Sequence, residues 1–140
     1  EKYGHDFTHL SESLTLDSIE YFLFPNAFFF PGLSLPMVYR FRPDPESPDY
    51  CYFDLIFMRP RPSDSKAPYP PEVISLDIDE SYSTVEGVGP LGKIYDQDTA
   101  NLAAQTRGFK SSFKRGETLG NYQEIRVRHL QKRVLDFLNA

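Results

Sequence analysis

Every one of the 12 prolines in this chain lies at or before Pro90, and residues 91–140 contain none. Proline removes a backbone donor and its ring clashes with the preceding helical turn, which costs a helix interior about 3 kcal/mol. A long helix therefore belongs to residues 91–140. The proline-punctuated stretch ahead of it, which also holds all but a few of the aromatic residues, suits short strands joined by turns. Strands first and helices second is the order of an α+β domain. Charge divides at the same place: residues 1–90 carry 6 basic and 15 acidic side chains, residues 91–140 carry 9 and 5. The first part is thus strongly acidic and the second mildly basic.

At 140 residues, with 40% hydrophobic and 25% charged side chains, the chain has the size of one globular domain. Such a length should bury about 68% of the surface an unfolded chain exposes, so no metal or disulfide staple is required. A lone cysteine, Cys51, excludes an internal disulfide and any cysteine-rich iron–sulfur or zinc site within these residues. The longest apolar stretches, near Tyr21 to Phe30 and Tyr50 to Met58, contain proline or charge and fall short of the ~20 residues a membrane helix needs. A net charge of −5 argues against nucleic acid as a partner. The chain opens on Glu1 without a basic segment and apolar run behind it, so no secretory leader is expected. A piece of something longer, or a processed product, in the cytoplasm is the expectation.

Ile19 to Phe24 and Ala27 to Phe30 read as extended segments interrupted by Pro25-Asn26, a strand with a break or bulge. From Met37 to Arg42 the residues alternate, with Met37, Tyr39 and Phe41 on one face and Val38, Arg40 and Arg42 on the other. After a turn-forming stretch from Pro43 to Asp49, Cys51, Phe53, Leu55 and Phe57 form an apolar face. These two runs predict an antiparallel hairpin with a long loop, in which Asp54 faces Arg40 or Arg42 for about 0.2–1 kcal/mol. Cys51 is then a buried, inert thiol. Pro60 to Pro71 is an irregular surface segment, and Val73 to Asp79 fits either a short strand or a loop.

Helical signals begin near Asp96: Asp96 or Asp98 can cap, Thr99 to Arg107 has no breaker, and Gly108 can supply a left-handed end. On that helix Asp98, Asn101, Leu102 and Gln105 share one face. A last helix is predicted from Asn121, with Asn121 and Glu124 as a capping pair, Ile125, Leu130, Val134, Phe137 and Leu138 inward, and Arg126, Arg128, Lys132 and Arg133 outward. That basic face is either solvated or meets an acidic partner domain.

No phosphate loop, GxSxG elbow, CxxC pair or HExxH helix is present. What remains is an arrangement of acids, amides and histidines. Asp98 can give an anionic oxygen to a hard or borderline cation while Asn101 and Gln105 orient it; the simpler reading has it cap its own helix. His5 and His9, spaced i and i+4, would converge on a metal if helical, but frayed chain is the simpler state there. His129 is a structural or partly exposed histidine. The run Phe28-Phe29-Phe30 serves either core packing or the wall of an apolar cavity.

The stretches Tyr21-Phe-Leu-Phe-Pro-Asn26, Val38-Tyr-Arg-Phe-Arg-Pro43 and Asp96-Gln-Asp-Thr-Ala-Asn-Leu102 with Gln105 and Gly108, closed by Tyr122-Gln-Glu124 and His129, lie in this order along the chain. Together they resemble the C-terminal part of the catalytic domain in Rieske-type aromatic-ring-hydroxylating oxygenase alpha subunits. The resemblance implies a helix-grip fold, an antiparallel sheet wrapped around a long C-terminal helix. It also implies a mononuclear Fe(II) held by two histidines and one carboxylate, with positions open for O₂. The motif's carboxylate falls on Asp98 and its asparagine on Asn101, a supporting residue, as is Gln105. Phe24, Asn26 and Phe28 are candidates for the substrate pocket.

The two histidines of the family belong to a motif upstream, which is not in this sequence, and the role does not transfer to His5 or His9. The Rieske 2Fe-2S cluster needs cysteines this chain lacks. By resemblance, the parent is a homotrimer or an alpha/beta hetero-oligomer that takes electrons from a ferredoxin or reductase and acts on an aromatic or other apolar substrate with O₂. One carboxylate cannot hold ferrous iron against water, so these residues alone are expected to be inactive, with exposed apolar edges that favour self-association. Two other classes remain open: a non-catalytic helix-grip module enclosing an apolar ligand, and an interaction domain using the basic last helix.

Overall fold

A computed structural model describes residues 6–58, 72–114 and 116–140 of the chain. Contacts gather them into two compact units, one from residues within 6–58 together with 120–140, the other from residues within 72–119.

The first unit is built on a four-stranded antiparallel meander: β1 (Tyr21–Leu23), β2 (Ala27–Phe30), β3 (Met37–Pro43) and β4 (Cys51–Phe57), adjacent in chain order. The interruption at Pro25-Asn26 is a hairpin turn rather than a bulge in one strand, since Leu23 pairs with Ala27 and Tyr21 with Phe29. Proline breaks the ladder, and the chain reverses there; the Phe24–Pro25 peptide is cis. Asn26 ties the turn to β3, its carbonyl accepting from the Phe41 amide at 2.9 Å and its side-chain nitrogen donating to the Phe41 carbonyl at 2.7 Å.

Register carries the alternation across the sheet. Phe22, Phe28, Tyr39 and Leu55 form one row over all four strands. Phe30, Met37, Phe41, Phe53 and Phe57 fall on the same face, because side chains two apart on a strand share a side. Their rings are in contact: Phe41 stacks on Phe53 with centroids 4.6 Å apart, Phe22 lies 4.9 Å from Phe28, and Tyr39 meets Phe30 and Phe53 at 5.0 and 5.4 Å. Each such pair contributes about 0.5–1.5 kcal/mol beyond area burial. Met37 closes this face and is fully buried. On the other side, Asp54 accepts from Arg40 Nε at 2.8 Å and from Arg42 Nε and a terminal nitrogen at 2.8 and 3.0 Å, so both expected partners are used. Cys51 is exposed, not a core thiol: it opens edge strand β4 opposite Pro43, at the end of the ladder.

A short helix, α1 (Glu12–Leu16), precedes the sheet with Ser11 as its cap. The C-terminal helix, α3, spans Ile125–Leu138. It begins four residues after Asn121, whose side chain accepts from Arg128 at 2.8 Å instead of capping, while Glu124 is the N-cap residue and its carboxylate accepts from the Gly120 amide. Phe137 touches the Phe24 ring at 5.8 Å. The remaining apolar face is less covered than the sequence suggests: Ile125 is 60% exposed, Phe137 73% and Leu138 75%.

In the second unit residues 72–80 contain a turn and no strand; Asp77 and Glu80 close it by exchanging backbone and carboxylate hydrogen bonds. Two 3₁₀ turns (Tyr82–Thr84 and Glu86–Leu91) lead into α2 (Gly92–Ser111). Proline at 90 suits the approach to a helix start, so α2 begins ahead of both aspartates. Gly108 lies inside it, and the helix ends at Ser112, which donates to the Phe109 carbonyl. The chain is thus α+β, with a four-stranded antiparallel sheet and two long helices.

Candidate functional site

The acids two residues apart near the start of α2 have different surroundings. Tyr95, between the helix start and Asp96, is 1% exposed and packs against Tyr82 with ring centroids 5.8 Å apart. This fixes the rotation of α2 about its axis, and one residue further, Asp96 points back at the Tyr82–Thr84 turn. Its Oδ1 accepts from the Tyr82 amide at 2.7 Å, and its Oδ2 from Ser81 Oγ at 2.7 Å and Ser83 Oγ at 2.6 Å. The hydroxyls of Ser83 and Ser81, followed by the Tyr82 amide, hold the Asp96 carboxyl below the usual carboxylate range, because hydrogen bonds to the charged form favour it. Asp96 caps the preceding turn, not its own helix.

Asp98 stands about 200° around the helix from Asp96 at roughly 100° per residue. It is exposed. Its carboxylate accepts no hydrogen bond and forms no ion pair among the described residues. Asn101 and Gln105 follow on the same face, with Leu102 beside them at 49% exposure. The helix therefore brings Asp98, Asn101 and Gln105 into one line, as the spacing requires. Capping, the simpler reading of Asp98 from sequence, does not apply: it is the seventh residue of α2 and the helix N-cap is Leu91.

Phe24, Asn26 and Phe28 come together at the β1–β2 hairpin. The Asn26 side chain is committed to β3, while the Phe24 and Phe28 rings both contact Phe22, at 6.5 and 4.9 Å. His9 and His129 are exposed and His5 lies outside the described residues, as does the Pro60 to Pro71 segment. No group of three or more His, Cys, Asp or Glu side chains able to hold a metal occurs among the described residues. Sequence reasoning missed the Asp96 clamp; Ser81-x-Ser83 ahead of an aspartate-rich helix start was its only signal.

A family model of the ring hydroxylating alpha subunit, catalytic domain, matches residues 4–140. The chain belongs to that family. Comparison with curated proteins and with solved structures finds no match. The sheet and long helices are consistent with the helix-grip fold of a ring-hydroxylating catalytic domain. The family uses mononuclear iron and acts on aromatic substrates with O₂. Asp98 is an exposed carboxylate without a hydrogen-bond or ion-pair partner among the described residues, and those residues hold no group of three or more metal-ligating side chains. No helix among them is long and apolar enough to cross a membrane.

Proposed function

We propose that this chain is the C-terminal portion of the catalytic domain of a Rieske-type ring-hydroxylating oxygenase and that Asp98 is the carboxylate ligand of its mononuclear Fe(II). The observation that carries the assignment is the contrast between the two acids. Asp96 accepts from three donors of its own unit, whereas Asp98 accepts from none of the described residues. A carboxylate bound to a hard or borderline cation needs lone pairs to spare, and of the two Asp98 has the more to offer and is not held against the protein's own backbone.

In this reading the bound iron supplies activation of O₂, and two histidines from elsewhere in the alpha subunit complete its ligand set. Asp98 gives the anionic oxygen. Asn101, one turn along the helix, presents a carboxamide that can donate to the second carboxylate oxygen and so orient it, and Gln105, two turns along, continues the same polar line toward bound water. The aromatic face of the sheet, with Phe24 and Phe28 at its hairpin end, offers flat apolar surface against which an aromatic substrate can pack. Electrons come from a ferredoxin or reductase through a Rieske 2Fe-2S cluster outside this chain, in a cytoplasmic trimer or alpha/beta hetero-oligomer. The 140 residues by themselves neither retain iron nor turn over substrate.

An anaerobic Fe(II) titration of the 140-residue chain beside Asp98→Ala tests the incomplete site. Weak, non-stoichiometric binding in both is expected. Stoichiometric binding by the parent chain that disappears in the variant would show a complete site within these residues and overturn that part of the reading.

A further inference from the structure

The two aspartates are joined by two residues of helix, so whatever fixes Asp96 fixes the backbone that carries Asp98. The Tyr82–Thr84 turn and the start of α2 approach as closely as backbones can: a Cβ at Gly92 would lie 2.7 Å from Ser83 Cα and 2.9 Å from Ser83 N. Among the contacts that hold the turn to the helix, within little more than one helical turn, are the glycine approach at 92, the buried Tyr95 ring on Tyr82 and the Asp96 carboxylate on Ser81, Tyr82 and Ser83. The first two hold the turn against the helix by close packing, and the glycine approach already resists sliding. The carboxylate adds direction, because its two oxygens take donors from three consecutive residues and their hydrogen bonds weaken steeply with distance and angle.

Ser81 contributes twice. Its hydroxyl donates to Asp96 and accepts from the Ser83 amide at 3.1 Å, which shapes the turn around the carboxylate. The arrangement is thus pre-formed on both sides. A ligand carboxylate on an exposed helix face needs such an anchor, since a shift of about 1 Å in the ligand is enough to spoil a metal site.

We propose that Asp96 is a positioning residue: by clamping the Ser81–Ser83 turn it sets the axial register of the first turns of α2 and so the place of the Asp98 carboxylate. This rests on the assignment of Asp98 as iron ligand and extends it to a residue that touches neither iron nor substrate.

The test uses the complete alpha subunit carrying Asp96→Ala, Asp96→Asn, Ser83→Ala and, as reference, Asp98→Ala. Each is examined for Fe(II) affinity under anaerobic conditions and for amide hydrogen exchange at Tyr82 and along residues 93–99. Asp96→Ala should open these amides by about tenfold or more and lower iron affinity about 10–100-fold, the usual effect of removing a group that orients a ligand. Asp96→Asn keeps one oxygen acceptor and should recover part of both, and Ser83→Ala, which removes a single donor, should fall between it and the parent. Should Asp96→Ala fail to fold, Ser83→Ala and Asp96→Asn carry the same comparison. Unchanged iron affinity in the Asp96 and Ser83 variants, with iron lost in Asp98→Ala, overturns the positioning role alone. Iron retained in Asp98→Ala overturns the ligand assignment and this proposal with it, while the exchange data still report whether the clamp exists.

Discussion

Single residues show how closely identical side chains can diverge in use. Asp54 on the sheet is a structural acid: the Arg42 guanidinium, followed by Arg40, holds its carboxyl below the usual carboxylate range. A carboxyl with a lowered folded-state pKa contributes stability above its unfolded pKa of about 4, and that contribution disappears as pH falls through the lower folded value. The acid-unfolding profile of Asp54→Asn should therefore be flatter than that of the parent below about pH 4. Because both arginines are 48% exposed, the loss at neutral pH should be no more than about 1 kcal/mol. Urea titrations across the pH range read both quantities, and a variant as acid-sensitive as the parent would assign the sensitivity elsewhere. Cys51 offers a second check. Exposed at the start of β4, it should react with a thiol reagent in the folded chain nearly as fast as in denaturant; strong protection would return it to the core position the alternation of β4 suggests.

At the level of elements, two glycines of α2 should respond in opposite ways to the same change. Gly108→Ala meets nothing within 4 Å and lies in a helix interior, so it should stabilise by about 0.5–1 kcal/mol. Gly92→Ala drives a Cβ into the Ser83 backbone and should destabilise by about 1–3 kcal/mol. Thermal unfolding of the pair separates these effects; equal shifts would deny the close approach of α2 to its preceding turn.

The alternation of Met37 to Arg42 and of Cys51 to Phe57 was enough to read β3, β4 and the Asp54 register, because a period of two admits few other arrangements. Pro25-Asn26 was harder: a proline marks a break in a ladder without saying whether the chain reverses. Asp96 misled in another way. An aspartate ahead of a breaker-free run is the usual mark of a helix start, and the serines that take its carboxylate lie 13 and 15 residues earlier, a separation that helix periodicity does not encode. That Asp98 and Asn101 share a helix face was legible because their i, i+3 spacing survives wherever the helix begins.

Across the whole molecule, burial is sparse. Met37 and Tyr95 are the buried large side chains among the described residues, and Phe113, Tyr122, Phe137 and Leu138 are all at least 73% exposed. Exposed apolar surface on this scale favours association, so the isolated chain should bind an apolar dye and sediment above its 16.2 kDa monomer mass; a sharp monomer without dye binding would contradict this. Membership of the ring-hydroxylating family gives the chain its chemistry, but the described residues hold no cluster of ligands. The claim that joins these facts is that Asp98 is the chain's contribution to an iron site completed elsewhere. The most direct test is iron analysis of the complete alpha subunit carrying Asp98→Ala beside Asn101→Ala and the parent. Near-complete loss of mononuclear iron in Asp98→Ala, with an intact Rieske spectrum and a smaller loss in Asn101→Ala, is the expected result. Full iron occupancy in Asp98→Ala would contradict it.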